Sequence, residues 1–278
     1  MKPSERKRER DRIISEIDNL RALRHPHIVS ILGCYQEPHK YRYSILMYPV
    51  GDEDLHKCFH EVSSEIAEGL PAPRTWVMRN WFHCLLSALA YIHSCNMRHD
   101  DIKPRNIIHR GGHVFFTDFG SSKKIVDSNH TTTESLASAT RLYAAPEALR
   151  DLQTNEVSSH GRKSDVYSLG LVFAEMDTLI AGATLPQLHA FLERESGGKF
   201  QQNPKPGEIP EYHRVAYLLG SWFFEIGVPK VYIDLIAPML REVRDERVSA
   251  HAHSCTLSSL LQPSSCHPDC EWWRKGPI

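Results

Sequence analysis

His99-Asp100-Asp101-Ile102-Lys103-Pro104-Arg105-Asn106, with Asp118-Phe119-Gly120 beginning twelve residues beyond Asn106, is the segment on which the fold turns. Between its two parts, Ile107-Ile108 and Val114 to Thr117 flank Arg110-Gly111-Gly112, the pattern of a β-hairpin. A hairpin returns the chain, so Asn106 and Asp118 are expected to meet at its open end. An amide oxygen and a carboxylate there suit Mg²⁺, a hard cation that takes oxygen ligands and fills the rest of its sphere from phosphates and water. Asp101, on the loop leading into the hairpin, is placed to accept a proton from an attacking hydroxyl. Lys103 sets a positive charge beside the same point. A carboxylate, a cation and two metal ligands converging on one spot meet the needs of phosphoryl transfer, where positioning and charge neutralisation do most of the work.

Outward from this segment, other stretches fall into order. The first resembles the protein kinase catalytic loop, and Asp118-Phe119-Gly120 resembles the metal-binding triplet that opens the kinase activation segment. Thr140-Arg141-Leu142-Tyr143-Ala144-Ala145-Pro146-Glu147 resembles the end of that segment. Ser164-Asp165-Val166-Tyr167-Ser168-Leu169-Gly170 resembles the start of the central helix of the large lobe. Arg247, in Asp245-Glu246-Arg247-Val248-Ser249-Ala250, resembles the late arginine that pairs with the glutamate here numbered Glu147. Ahead of the loop, Glu16 and Leu20, ten and six residues before Pro26, resemble the regulatory helix of the small lobe. Tyr43 to Val50 resembles the fifth strand and the hinge. The resemblance runs from about Ile13 to Ala252.

The resemblance implies an α+β, bilobal, protein-kinase-like fold: a small β lobe over 1–50, a mainly α large lobe over 51–255, and a disordered tail over 256–278. It implies ATP and Mg²⁺ as cofactors and transfer of the γ-phosphate to Ser or Thr of a protein substrate. The Ser/Thr preference follows from Lys103, two residues after Asp101, where tyrosine kinases usually carry Ala or Arg. By the same resemblance Asp101 is the catalytic base and Lys103 contacts the transferred phosphate, with Thr140 bracing both. Asn106 and Asp118 hold the metal. Met47 gates the nucleotide pocket, and backbone groups of Tyr48 and Val50 take the adenine. Glu16 pairs with the ATP-anchoring lysine. Leu20, Ile31, His99 and Phe119 stack as a hydrophobic spine tied to Asp165.

Two departures qualify that picture. No Gly-rich phosphate loop and no Ala-x-Lys strand occur in the 278 residues, which leaves the small lobe incomplete. Lys2 stands fourteen residues before Glu16 but has no strand ahead of it, and its spacing is read as chance. The expectation is of a kinase whole in ancestry and truncated here, with weak nucleotide binding. The alternative is a non-catalytic kinase-like binding module, against which stands the retention of Asp101, Asn106 and Asp118. Asp100 occupies a position where many kinases carry an Arg that receives the activation-loop phosphate. An acidic residue there repels phosphate, so phosphorylation of Thr131, Thr132, Thr133 or Ser135 is not expected to be the main switch.

Composition agrees with a folded domain. The chain is 41% hydrophobic and 24% charged, with a formal charge of −1, which gives no electrostatic pull toward nucleic acid or anionic membrane. No apolar run approaches the roughly eighteen residues that span a bilayer. Seven scattered cysteines suggest a reducing, intracellular setting, cytoplasmic or nuclear. Ile13, Ile17, Leu20 and Leu23 predict an amphipathic helix ending before His25-Pro26. Ile28 to Tyr35 and Tyr43 to Val50 read as strands, and Gly51-Asp52-Glu53-Asp54 as a linker. Met78, Phe82, Leu85, Leu86, Leu89 and Ile92 predict a strong helix, and Leu169, Val172, Phe173 and Met176 another. His251, His253, Cys255, Cys266 and Cys270 fit no standard zinc-finger spacing and are read as part of the tail.

Overall fold

The computed structural model describes residues 3–37, 42–124, 142–149, 161–197 and 211–260. Helix α1 (Pro3–Ala22) leads, and it turns Ile17 and Leu20 inward, with Leu23 just beyond its end. Strands β1 (Ser30–Glu37) and β2 (Arg42–Tyr48) pair antiparallel, with Ser30 opposite Tyr48 and a register shift between Ile31 and Gly33. A two-residue strand β3 (Glu53–Asp54) then pairs with β5 (Ile107–Arg110), and β5 pairs with β6 (His113–Phe116) to close the expected hairpin. Between them, β4 (Met97–Arg98) pairs with β7 (Lys123–Lys124) beyond the hairpin.

Gly51 to Asp54 is therefore more than a linker. Glu53 and Asp54 lie opposite His109 and Ile108, and Asp54 caps the helix after it, its Oδ1 accepting from the Lys57 N–H at 2.9 Å. That helix, α2 (Leu55–Ala67), buries Leu55, Cys58, Phe59 and Val62 along one stripe. A cluster of turn-forming residues that reads as a break is thus a strand and a cap.

Helix α3 (Arg74–Ser94) and helix α4 (Arg162–Ile180) form the centre of the large lobe. Every residue of α3 from Trp81 to Leu89 and of α4 from Leu169 to Leu179 is buried, so both helices are enclosed on every side there. Phe82 of α3 meets Phe173 of α4 edge-on, ring centroids 4.8 Å apart. Around them pack α5 (Leu185–Glu195), α6 (Leu219–Glu225) and α7 (Ala250–Leu260). Gly170 lets α4 approach the chain at Met239 and Leu240: a Cβ there would stand 2.9 Å from a Leu240 methyl and 3.0 Å from Met239 Cβ.

Helix α7 carries the chain past residue 255 to Leu260, so the first residues of the expected tail are helical; 261–278 lie outside the described residues. His253 is buried, its Nε2 2.7 Å from the Leu235 carbonyl, which makes it a packing histidine. Cys266 and Cys270 fall outside the described residues. Among those described, no single helix is long and apolar enough to cross a membrane.

The front of the chain is fastened to the hairpin that carries the site. Val29 N–H donates to the Phe116 carbonyl at 3.0 Å and Phe116 N–H to the His27 carbonyl at 2.9 Å. Leu20, Leu23, Ile28 and Val29 share one contiguous core with α3, α4 and the hairpin.

Candidate active site

Strands β4 and β7 bracket the loop that carries Asp101, and helix α4 anchors it from below. The Asp165 carboxylate, one turn into α4, accepts from His99 N–H at 2.9 Å through Oδ2 and from Asp100 N–H at 2.9 Å through Oδ1. The His93 ring adds a contact of 3.0 Å to Oδ2. Burial alone would raise the Asp165 carboxyl, but the His93 contact, its charge and the backbone donors outweigh it and hold the group below the usual carboxylate range. An ionised, fully coordinated carboxylate therefore fixes the backbone of the loop immediately before Asp101.

Above this anchor, Lys103 Nζ donates to both Asp101 oxygens, at 3.0 and 2.8 Å. The Asn106 amide nitrogen donates to the Asp101 carbonyl and to Asp101 Oδ2, each at 2.9 Å. Both amide hydrogens are thus spent on Asp101, which leaves the Asn106 side-chain oxygen as the atom it can offer an ion. Thr117 N–H donates to the Asn106 carbonyl at 3.0 Å, so Asp118 comes directly after the residue paired with Asn106. The hairpin brings the two ends together as its sequence predicts. An amide oxygen and a carboxylate form a donor set that fits a hard divalent cation.

Asp100 and Asp118 have φ of +61° and +58°. Asp tolerates this left-handed region better than most residues. At Asp118 the turn is closed by Gly120 N–H, which donates to Asp118 Oδ1 at 3.3 Å. Asp100 pairs with Arg98, Oδ2 to Nη2 at 3.2 Å, so its carboxylate already faces a cation. Thr131, Thr132, Thr133 and Ser135 lie outside the described residues, as does Thr140.

Of the residues assigned to a spine, Leu20, Ile31 and Phe119 lie in or against one hydrophobic core, and His99 meets Phe119. Leu20, His99 and Phe119 are fully buried, and the His99 and Phe119 rings stand 4.8 Å apart; Ile31 is half-buried against the same core. Glu16 is half-buried on α1, one turn before Leu20. Met47 packs against the core, while Tyr48 and Val50 on the hinge side are exposed.

At the far side of the lobe, Arg247 grips Glu147 with two bonds of 2.6 and 2.8 Å, and its guanidinium lies over the Tyr167 ring at 4.8 Å. Burial would push the Glu147 carboxyl up, but the hydrogen bonds and charge of Arg247 prevail and lower it.

Three residues that pattern alone does not single out also hold the site. His93 supports Asp165. Asn19 of α1 donates to the Ser122 carbonyl at 2.9 Å, and Ser122 Oγ donates to the His99 carbonyl at 3.2 Å. These link the first helix to the segment after Asp118 across a sequence separation that no local periodicity reports.

Comparison with known proteins agrees with this geometry. The chain is 31% identical over 171 residues to a probable serine/threonine-protein kinase, samkB, of Dictyostelium discoideum, covering 60% of this chain and 27% of that protein. It is 34% identical over 174 residues to mitogen-activated protein kinase 13 of Oryza sativa, covering 60% of this chain and 31% of that one. Against mitogen-activated protein kinase 2 of Arabidopsis thaliana it is 29% identical over 280 residues, with 92% and 68% covered. The chain spans only 27% and 31% of the length of the first two of these relatives. The family model described as the protein kinase domain matches residues 1–256, and with the catalytic loop, the Asp118 triplet and the Glu147–Arg247 pair in their expected places, the chain belongs to the protein kinase domain family.

Proposed function

We propose that this chain transfers the γ-phosphate of ATP to a Ser or Thr hydroxyl of a protein substrate. The observation that carries the reading is the cluster at the hairpin's open end, where Lys103 and Asn106 both hold the Asp101 carboxylate within 3.0 Å. The Asp101 carboxylate accepts the hydroxyl proton as the oxygen attacks the γ-phosphorus and the bond to ADP breaks. Lys103, beside it, offsets negative charge building on the transferred group. Asn106 and Asp118 are the residues to hold Mg²⁺, which when bound neutralises the phosphates. Met47 lines the adenine side, with the backbone of Tyr48 and Val50 offering hydrogen bonds. Glu16 stands on α1 for a cationic partner.

The Ser/Thr preference draws support from Lys103 and from relatives whose names carry that specificity. Incubation of the full chain with radiolabelled ATP, Mg²⁺ and a mixed protein substrate tests the reading. Label recovered as phosphoserine and phosphothreonine supports it. Label on tyrosine alone, or none at any enzyme concentration, contradicts it.

A further inference from the structure

The corner where β3, α2 and β5 meet takes no part in the proposed reaction. Glu53 from β3, Cys58 from α2 and His109 from β5 converge there, each offering an atom within 4.8 Å of the others. Cys58 is fully buried and His109 is 6% exposed. His109 Nε2 lies 3.3 Å from Glu53 Oε1. Its Nδ1 is buried without a hydrogen-bond partner and has the Asp52 carboxylate 4.0 Å away. The Trp81 ring stands against the imidazole, centroids 5.4 Å apart.

A thiol, an imidazole and a carboxylate at one point make a mixed sulfur, nitrogen and oxygen set. Zinc takes such sets, commonly with three protein ligands and water in the fourth place. An imidazole that offers one nitrogen to the ion and turns the other toward a carboxylate has the orientation that outer carboxylates impose on zinc-bound histidines. We propose that Glu53, Cys58 and His109 form a zinc-binding site, with Asp52 orienting His109.

Two cations stand beside these ligands and have other partners. Arg74 Nη1 is 3.1 Å from Glu53 Oε1, yet Arg74 also holds Glu61 at 2.8 Å and Glu65 at 2.5 Å. Lys57 Nζ is 3.4 Å from Glu53 Oε2 and 3.6 Å from Glu61. Glu53 can therefore turn to the ion without stranding either cation. Burial pushes the Cys58 thiol up to about 12, so binding forms the Zn–S bond as the S–H bond breaks and the proton leaves to solvent. The thiolate and the Glu53 carboxylate then cancel the two charges of the ion, and no uncompensated charge enters the interior.

Co²⁺, a spectroscopic stand-in for zinc, tests the site in the full chain. Because His251, His253, Cys255, Cys266 and Cys270 offer competing ligands, the parent for the test carries Cys255→Ser, Cys266→Ser and Cys270→Ser. One equivalent of Co²⁺ should produce a thiolate-to-cobalt charge-transfer band in the near ultraviolet, and Zn²⁺ should abolish it. Cys58→Ser should remove the band, and His109→Gln should weaken binding by tenfold or more. Saturating Zn²⁺ should raise the parent's Tm by roughly 5 °C. No band in the parent, or a band that survives Cys58→Ser, overturns the proposal. Should Cys58→Ser fail to fold, alkylation of Cys58 in the parent decides: zinc must slow it at least tenfold, and an unchanged rate overturns the site.

Discussion

Strand pair β1–β2 and helix α4 hold their apolar side chains under opposite conditions. On the strands Leu32 is 70% exposed and Leu46 is 51% exposed, whereas on α4 Leu169, Val172 and Phe173 are fully buried. An isolated two-stranded sheet is marginal in water, while an enclosed helix is held by every neighbour it touches. The proposed chemistry rests on the second kind of support. Asp101, Asn106 and the chain before them hang from Asp165 on α4. Only Met47, Tyr48 and Val50, proposed for the adenine side, belong to the strand pair and the short stretch after β2. Removing α4's anchors should therefore be far more damaging than trimming the strands.

The sharpest way to break this comparison is at Arg247, which is fully buried and holds Glu147 beside α4. Arg247→Ala leaves the Glu147 carboxylate without its cation, with only the Ser164 hydroxyl still donating to it at 2.7 Å, and should cost about 3–5 kcal/mol, read as a drop in the urea midpoint at unchanged slope. A loss below about 1 kcal/mol would show that the anchor contributes little.

Next in size is a pH effect from α4 itself. Burial raises the Glu175 carboxyl to about 7 even though Tyr212 and Tyr143 donate to it at 2.7 and 2.9 Å. The folded state thus keeps a proton that the unfolded chain has lost by pH 7. The contribution is fully present below the unfolded pKa near 4.5 and fades as pH rises from there to about 7, in total on the order of 3 kcal/mol. Glu175→Gln should flatten that decline in a series of urea melts. Asp177, raised by burial to about 7, keeps part of the slope. Glu147, lowered, has the opposite sign: its contribution is lost as pH falls below the ordinary carboxylate range. His25 and His189, lowered by burial to about 3 and 4, slope the other way below pH 6.5 in both proteins, so the difference between the two curves is the readout: wild-type and Glu175→Gln curves that run parallel from pH 5 to pH 7 would contradict the Glu175 assignment.

The smallest expected effect is on the strand pair. Leu46→Ala should change stability by no more than about 0.5 kcal/mol, measured in the same melts, and a loss of several would mean that the exposed face is covered in solution.

Much of this architecture is legible in the residues. The Arg110-Gly111-Gly112 turn between two β-rich runs locates the hairpin, and the hairpin locates Asn106 against Asp118. Helices α3 and α4 announce themselves through long apolar patterns. Helix α2 is masked by its neighbour: Leu55, Cys58, Phe59 and Val62 follow its period, but Gly51 to Asp54 just ahead reads as a break. Strand β3 is two residues long, too short for any alternation to show. The supports of the site are illegible for a different reason: His93 meets Asp165, and Asn19 meets Ser122, through contacts between residues 72 and 103 positions apart. Such pairs are created by packing, and no local pattern encodes them.

The account rests on Asp101 acting in the chemical step from a cleft shared with Asn106 and Asp118. The most direct test measures Mg²⁺-dependent nucleotide affinity and the phosphotransfer rate side by side for wild type and Asp101→Asn. The prediction is a rate lower by about 100-fold or more, with nucleotide affinity changed less than roughly threefold. A variant that transfers phosphate at the wild-type rate would contradict it.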